Sequence, residues 1–173
     1  MRKGPKAFVV AVVVAMGIVT IIQWIGMLRP GETREDARLL LYEASLFQAE
    51  LVAGYVGEAA IAADTGELNG LKQAAYSLDY THERLVRGWG DGMPELRSAA
   101  AVVDWIGRLQ IGGGRPLLPR EADTFAALAP HMQELYDAYR TLVSDGGEVD
   151  AASAERIRQA DAAVADLVEE AMR

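Results

Sequence analysis

Histidine and carboxylate residues at helical spacing are the parts of this sequence that could bind a metal ion. Asp79 precedes His82 by three residues and His131 precedes Glu134 by three, so each pair would share one helix face. Di-metal carboxylate bundles take a Glu from each of two helices and a Glu-x-x-His motif from each of two others. Further carboxylates come from the first predicted soluble helix: Glu43, Glu50 and Glu58.

This sequence matches the di-metal carboxylate pattern poorly. One motif carries Asp in place of Glu, the other runs backwards, and the chain has 2 histidines in all. His82 falls on an apolar helix seam, where a histidine is usually a core residue hydrogen-bonded to a tyrosine or a carboxylate. Glu58 is expected at the edge of a solvent-facing strip. We therefore predict no bound metal and no cofactor, and keep a metal-binding bundle as the third hypothesis.

Residues for covalent catalysis are missing or badly placed. The chain has no cysteine, which excludes disulfides, thiolate ligands and a thiol nucleophile. It has no Gly-x-Ser-x-Gly elbow. The glycine run Gly112–Gly114 lacks the lysine that follows it in phosphate-binding loops. We predict that the protein is not an enzyme.

The N-terminal segment has the composition of a membrane anchor. Residues 7 to 28 contain no charged side chain, and a helix of that length rises about 33 Å against a hydrocarbon core of about 30 Å. The basic residues Arg2, Lys3 and Lys6 precede it, so the positive-inside rule places the N-terminus in the cytoplasm. The stretch is longer than the apolar region of a signal peptide and ends in large residues, which favours an uncleaved anchor.

These features predict a single-pass protein of a bacterial-type inner membrane, with its C-terminal domain periplasmic or extracellular. The predicted order is a cytoplasmic basic tail (1–6), a transmembrane helix (7–28), a hinge at Pro30-Gly31 (29–32) and an extracytoplasmic helical domain (33–173). Four of the 17 basic residues flank the anchor, whereas all 25 acidic residues follow it. So acidic a domain repels phosphate backbones, and we predict no nucleic-acid partner.

Apolar residues at helical spacing predict an all-α domain, and short connections favour an up-and-down antiparallel bundle of four to five helices. The first three predicted helices cover 33–64, 69–88 and 94–110. Residues 112–119 are predicted to form a loop, and a fourth helix follows this loop and ends at Gly146-Gly147. Pro130 predicts a kink or break in the fourth. A last helix, capped by Asp150, runs to the C-terminus.

The first soluble helix is apolar on two sides of a narrow polar strip. One apolar row contains Leu40, Phe47, Leu51 and Ile61, and the other contains Leu39, Leu46, Ala53 and Val56. A helix apolar over that much of its circumference is either central in a bundle or covered by a partner.

Two regions predict contacts with other proteins. The anchor carries a smooth face of alanines with two polar residues near its outer end: Ala7, Ala11, Ala15, Thr20 and Gln23. In the soluble part, Leu117 and Leu118 lie between two prolines, and Trp89 lies between two glycines, which makes all three candidate docking residues.

We therefore expect an accessory or scaffold subunit of a membrane protein complex, with other membrane subunits or further copies of itself as partners. The alternative is an extracytoplasmic sensory or ligand-binding bundle that signals through a partner.

Overall fold

The computed structural model describes residues 30–144 and 146–173, with side chains from Ala37 onward. Over these ranges the chain forms an all-helical bundle of five helices without strands: α1 (Pro30–Ala59), α2 (Asn69–Trp89), α3 (Ser98–Leu109), α4 (Pro119–Tyr139) and α5 (Ala151–Ala171). The chain divides into two units at the boundary between Ala37 and Arg38, and Arg38–Arg173 form the second. The side-chain contacts given below lie within the second unit.

No helix among these described residues is both long and apolar enough to cross a membrane. The predicted transmembrane helix at residues 7–28 lies outside the described part of the chain, as do the five residues of its predicted partner face. Both remain predictions.

Helix α1 differs from its predicted bounds at both ends. It begins at Pro30, so part of the predicted hinge is helical, and proline is well tolerated in a first helical turn. It ends at Ala59, where the N–H of Ile61 and of Ala62 bond carbonyls only three residues back, and short of the predicted end the carboxylate of Asp64 accepts the N–H of Gly66 (2.6 Å) and of Glu67 (3.3 Å). Such a local turn competes with continued helix.

Helix α4 continues through Pro130, so the predicted break is wrong, and the alternative of a kink there stays a prediction. An internal proline costs about 3 kcal/mol, but residues on both sides of it are buried: Phe125, Leu128, Met132 and Leu135. Their burial offsets that cost. The helix ends at Tyr139 rather than at Gly146, because Leu142 turns into the core and its carbonyl accepts the N–H of Asp150 at 2.8 Å.

Carboxylate side chains cap the N-terminal ends of α5 and α3, one from a neighbouring residue and one from another helix. Asp150 caps α5 as predicted, accepting the N–H of Ser153 at 2.7 Å. Helix α3 begins at Ser98 rather than at Pro94, and its cap comes from α5. The buried carboxylate of Asp161 accepts the N–H groups of Arg97 (2.9 Å) and Ser98 (2.8 Å).

One apolar core joins the helices. The most extensive helix–helix contacts are those of α4 with α5, α2 with α3, and α3 with α5. Helix α1 joins the core through Tyr42, Val52 and Val56.

Candidate functional site

The solvent-facing side of α1 carries an apolar row that the described residues cover only in part, at Leu51. We define the outer apolar row as Leu40, Ala44, Phe47, Leu51 and Gly54, which follow one another in steps of four and three. Leu40 is 65% exposed and Phe47 is 55% exposed, although both are large apolar residues. Leu51 is half-buried, and Ala44 and Gly54 are exposed. Contiguous exposed apolar surface of this kind marks an interaction site more often than scattered single residues do.

The opposite face of α1 supplies the core, and it is not either of the rows predicted from the sequence. The buried residues of α1 are Tyr42, Ser45, Ala49, Val52, Val56 and Ala59. Of the predicted rows, Leu40 and Phe47 face outward, whereas Leu39, Leu46 and Ala53 are half-buried at the margin. The helix is therefore not central in the bundle.

Negative charge borders the outer apolar row. Glu43 and Glu50 lie exposed along one edge, and Glu58 lies exposed in line with the row, one step beyond Gly54. The sequence from Leu39 to Leu71 contains no lysine or arginine. One edge of this apolar surface is therefore acidic, and α1 itself contributes no basic residue from Leu39 onward.

A buried histidine links three parts of the bundle. His82 on α2 is 2% exposed. Its Nε2 lies 2.7 Å from the carbonyl oxygen of Pro94, and its Nδ1 lies 2.6 Å from the hydroxyl of Tyr139 on α4. A carbonyl oxygen can only accept, so Nε2 carries the proton and Nδ1 accepts from Tyr139. The expectation of a core histidine bonded to a tyrosine is confirmed.

Aromatic rings continue this network to α1. The Tyr42 hydroxyl donates to the backbone carbonyl of Tyr139 at 2.6 Å, and the two rings stack 5.8 Å apart. Trp89 meets Tyr42 edge-on at 6.5 Å. Residues of α1, α2 and α4 are thereby held in one arrangement.

Burial sets the protonation of this network. Desolvation lowers the pKa of His82, while the hydrogen bond to Pro94 and the nearby charge of Asp161 partly oppose that shift. Desolvation also raises the pKa of Tyr139. The network therefore holds a neutral imidazole and a neutral phenol. Its hydrogen bonds join α2 to α4 and to the segment that holds Pro94.

A surface cleft of about 300 Å³ lies beside His82. Its polar lining is mainly acidic, from Asp79, Glu83 and Glu95, with Arg87 paired to Glu83. Desolvation, followed by the charges of Glu83 and Asp104, raises the pKa of Asp79. Small cationic molecules would match this lining better than anions.

The three candidate docking residues fall in different environments. Leu117 is half-buried against the core, and its N–H donates to the Ala63 carbonyl at 3.2 Å. Leu118 is 54% exposed at the start of α4. Trp89 is half-buried at the end of α2, with the Arg38 guanidinium 6.0 Å from its ring centre. Docking by these residues remains a prediction.

The loop that carries Leu117 and Leu118 is pinned to the domain. The Thr65 N–H donates to the Arg115 carbonyl at 2.8 Å, and the Arg115 N–H donates to the Thr65 hydroxyl at 3.2 Å. The Arg115 guanidinium bonds both carboxylate oxygens of Glu121, and this contact is the main cause of the lowered pKa of Glu121. A pinned loop presents Leu118 in a fixed position.

The predicted metal-binding sets are not assembled in the described structure. Nowhere in residues 30–144 and 146–173 do three His, Asp or Glu side chains come together as a metal site. Both ring nitrogens of His82 already have hydrogen-bond partners. Glu58 is exposed, as expected for the edge of a solvent strip.

Sequence reasoning missed Tyr42, Tyr139 and Asp161. The contact between Tyr139 and His82 was not predicted, because 57 residues separate them along the chain. Asp161 falls among the buried positions of α5, between Ala160 and Val164. An aspartate inside an apolar row is the signal that could have marked a carboxylate with a specific partner.

Comparison with models of known protein families, with curated proteins and with solved structures found no match to this chain. The functional argument therefore depends on the chain's own residues.

Proposed function

We propose that this protein is an accessory or scaffold subunit of a membrane protein complex, and that it acts by protein contact. The observation that carries this proposal is the outer apolar row of α1. The domain completes a core without it, and Leu40 and Phe47 remain exposed. Exposing such residues to water is unfavourable, so burying them against a partner protein would lower the free energy.

The apolar N-terminal segment supports a membrane location. Residues 7–28 have the length and the charge-free composition of a transmembrane helix, and the preceding basic residues favour a cytoplasmic N-terminus. On this proposal the anchor crosses a bacterial-type inner membrane once, and the helical bundle lies outside the cytoplasm with an up-and-down arrangement. The alanine face of the anchor then offers a second contact, within the membrane.

The native mass and composition of the purified particle test this proposal. The full chain is purified in mild detergent from the membranes of cells that express it naturally. A particle that contains other membrane proteins at fixed stoichiometry is the expected result. A lone monomer that persists on dilution and contains no other chain would overturn the proposal.

A sensory or ligand-binding bundle is the second candidate, and the cleft beside His82 favours it. A molecule in that cleft would touch Asp79, Glu83 and Glu95 and would adjoin the network that joins α1, α2 and α4. Spermidine, a small organic cation, is a suitable probe. Saturable binding that Glu95→Gln weakens while Glu134→Gln does not would support this candidate, and absence of binding would remove its basis.

A further inference from the structure

We infer that the outer apolar row of α1 is the docking site for an amphipathic α-helix of a partner subunit, whose apolar residues are flanked by lysine or arginine. The inference rests on the proposed function and adds the surface used and the chemistry of the segment that binds it.

The shape of the row fits a helix. From Leu40 to Gly54 it extends about 21 Å at the helical rise of about 1.5 Å per residue. Its steps of four and three are those of a coiled-coil seam, in which side chains of one helix enter gaps on the other. Large Leu40 and Phe47 alternate with small Ala44 and Gly54, so the row has both protrusions and gaps.

Open space at the end of the row allows close approach. A Cβ atom added at Gly54 or at Gly57 would meet no other atom within 4 Å. Both glycines are exposed. A partner helix could therefore approach the backbone of α1 closely at the Gly54 end of the row.

Charge decides which kind of helix fits. Glu43 and Glu50 border the row and Glu58 continues it, with no basic residue on this stretch of chain. A partner with acidic flanks would add like charges at short range, whereas lysine or arginine would pair with these glutamates. Anionic lipid is disfavoured for the same reason.

A second copy of this chain fits less well. In a parallel pair along this seam, each Glu58 would face its own copy. In an antiparallel pair centred on Phe47, Glu43 of one copy would lie beside Glu50 of the other. Neither arrangement supplies positive charge, so self-association through this row is disfavoured.

Site-specific photo-crosslinking in the native membrane tests the inference. The probe is p-benzoylphenylalanine in place of Phe47 in the full chain, and the matched control carries it in place of Ile111, which is 80% exposed on another part of the surface. The crosslinked peptide is sequenced by mass spectrometry. We expect the probe at position 47, and not at 111, to react with a helical segment that has apolar residues at three-four spacing and Lys or Arg beside them.

Substitutions then test the apolar contact and the charge pairing separately. Phe47→Glu should reduce co-purification of that partner at least tenfold by placing charge in the seam. The double change Glu43→Lys and Glu50→Lys should have a similar effect, and reversing the partner's basic residues to Glu should restore binding to this double variant. Because these positions are exposed, an unchanged melting temperature should show that each variant is folded.

Several results would overturn the inference. The first is crosslinking from position 47 to a second copy, to lipid or to a helix without basic residues. The second is the lack of any reaction specific to position 47. The third is partner binding that the substitutions do not reduce. If the native particle still contains other membrane proteins, only this inference fails and the proposed function stands. If the native particle is a lone monomer, both fail.

Discussion

The imidazole Nδ1 of His82 lies 2.6 Å from the hydroxyl oxygen of Tyr139, in a contact that joins α2 to α4 across 57 residues of sequence. Both side chains are buried, and the second ring nitrogen of His82 is bonded to Pro94. Because water cannot replace a missing partner there, changes at this contact have predictable effects on stability.

Tyr139→Phe should destabilise the domain by about 1–3 kcal/mol, the usual cost of leaving one buried polar group without its partner. Here that group is the Nδ1 of His82. Thermal unfolding of the full chain in mild detergent, followed by circular dichroism, measures the change. Tyr76→Phe is the matched control, since Tyr76 is 60% exposed. Equal melting temperatures for the two variants would contradict the assigned hydrogen bond.

Stability should fall as the pH is lowered from about 6.5 toward 5. Burial holds the pKa of His82 below its ordinary value of 6.5, so the unfolded chain binds a proton in this window that the folded chain does not. One such proton changes the unfolding free energy by up to about 1.4 kcal/mol per pH unit. The raised pKa of Asp79 has the opposite effect on stability at lower pH, because there the folded chain binds the proton more readily than the unfolded chain.

The test is the pH dependence of the melting temperature for the native chain, His82→Gln and His131→Gln. His82→Gln should flatten the slope between pH 6.5 and 5, and His131→Gln should keep it. A slope that survives His82→Gln would show that other groups cause it.

Asp161→Ala should cost about 1–2 kcal/mol, because it removes the acceptor for the N–H groups that open α3. Chemical or thermal unfolding of the purified chain measures this loss. Asp166→Ala is the control, since Asp166 lies exposed on the same helix. A loss no larger than that of the control would mean that Asp161 does not cap α3.

We expect different effects on the melting temperature from Leu117→Asp and Leu118→Asp. Leu117 packs against the core, so a carboxylate there should lower the melting temperature by several degrees. Leu118 is 54% exposed, so its replacement should leave the melting temperature nearly unchanged. If the loop docks on a partner, Leu118→Asp should also reduce co-purification of that partner. Full co-purification would exclude Leu118 from the interface.

The absence of cysteine makes the proposed topology testable by single introduced thiols. A membrane-impermeant maleimide should label Ala126→Cys in intact spheroplasts, because Ala126 is exposed on the domain proposed to lie outside. It should label Gly4→Cys only after lysis. Labelling of Gly4→Cys in intact cells would reverse the orientation, and equal labelling of both before lysis would argue against a single crossing.

Helix positions followed from local patterns, and so did some of their ends. The predicted start of α2 at 69 and the cap of α5 at Asp150 both agree with the structure. These features depend on periodicity and on a side chain bonding to its own neighbours. The ends set by packing or by distant residues were wrong: Asp161 caps α3 at Ser98, and α4 ends at Tyr139, where Leu142 turns into the core.

For the candidate interaction surface too, local sequence patterns predicted one part and tertiary packing decided the other. The sequence alone identified α1 as a helix with more apolar surface than one core contact needs. It could not show which side of α1 the domain uses, because both predicted rows are apolar. Packing decided this: Tyr42, Val52 and Val56 enter the core, and Leu40 and Phe47 are left outside.

The sequence by itself determined the all-helical class, the acidic charge after the anchor and the absence of thiol chemistry, since composition and short-range periodicity specify these. Only the tertiary structure paired His82 with Tyr139, placed Asp161 at the start of α3 and left the outer apolar row of α1 uncovered. These contacts join residues far apart in the chain. Their partners are chosen by how the helices pack, and a local pattern does not contain that information.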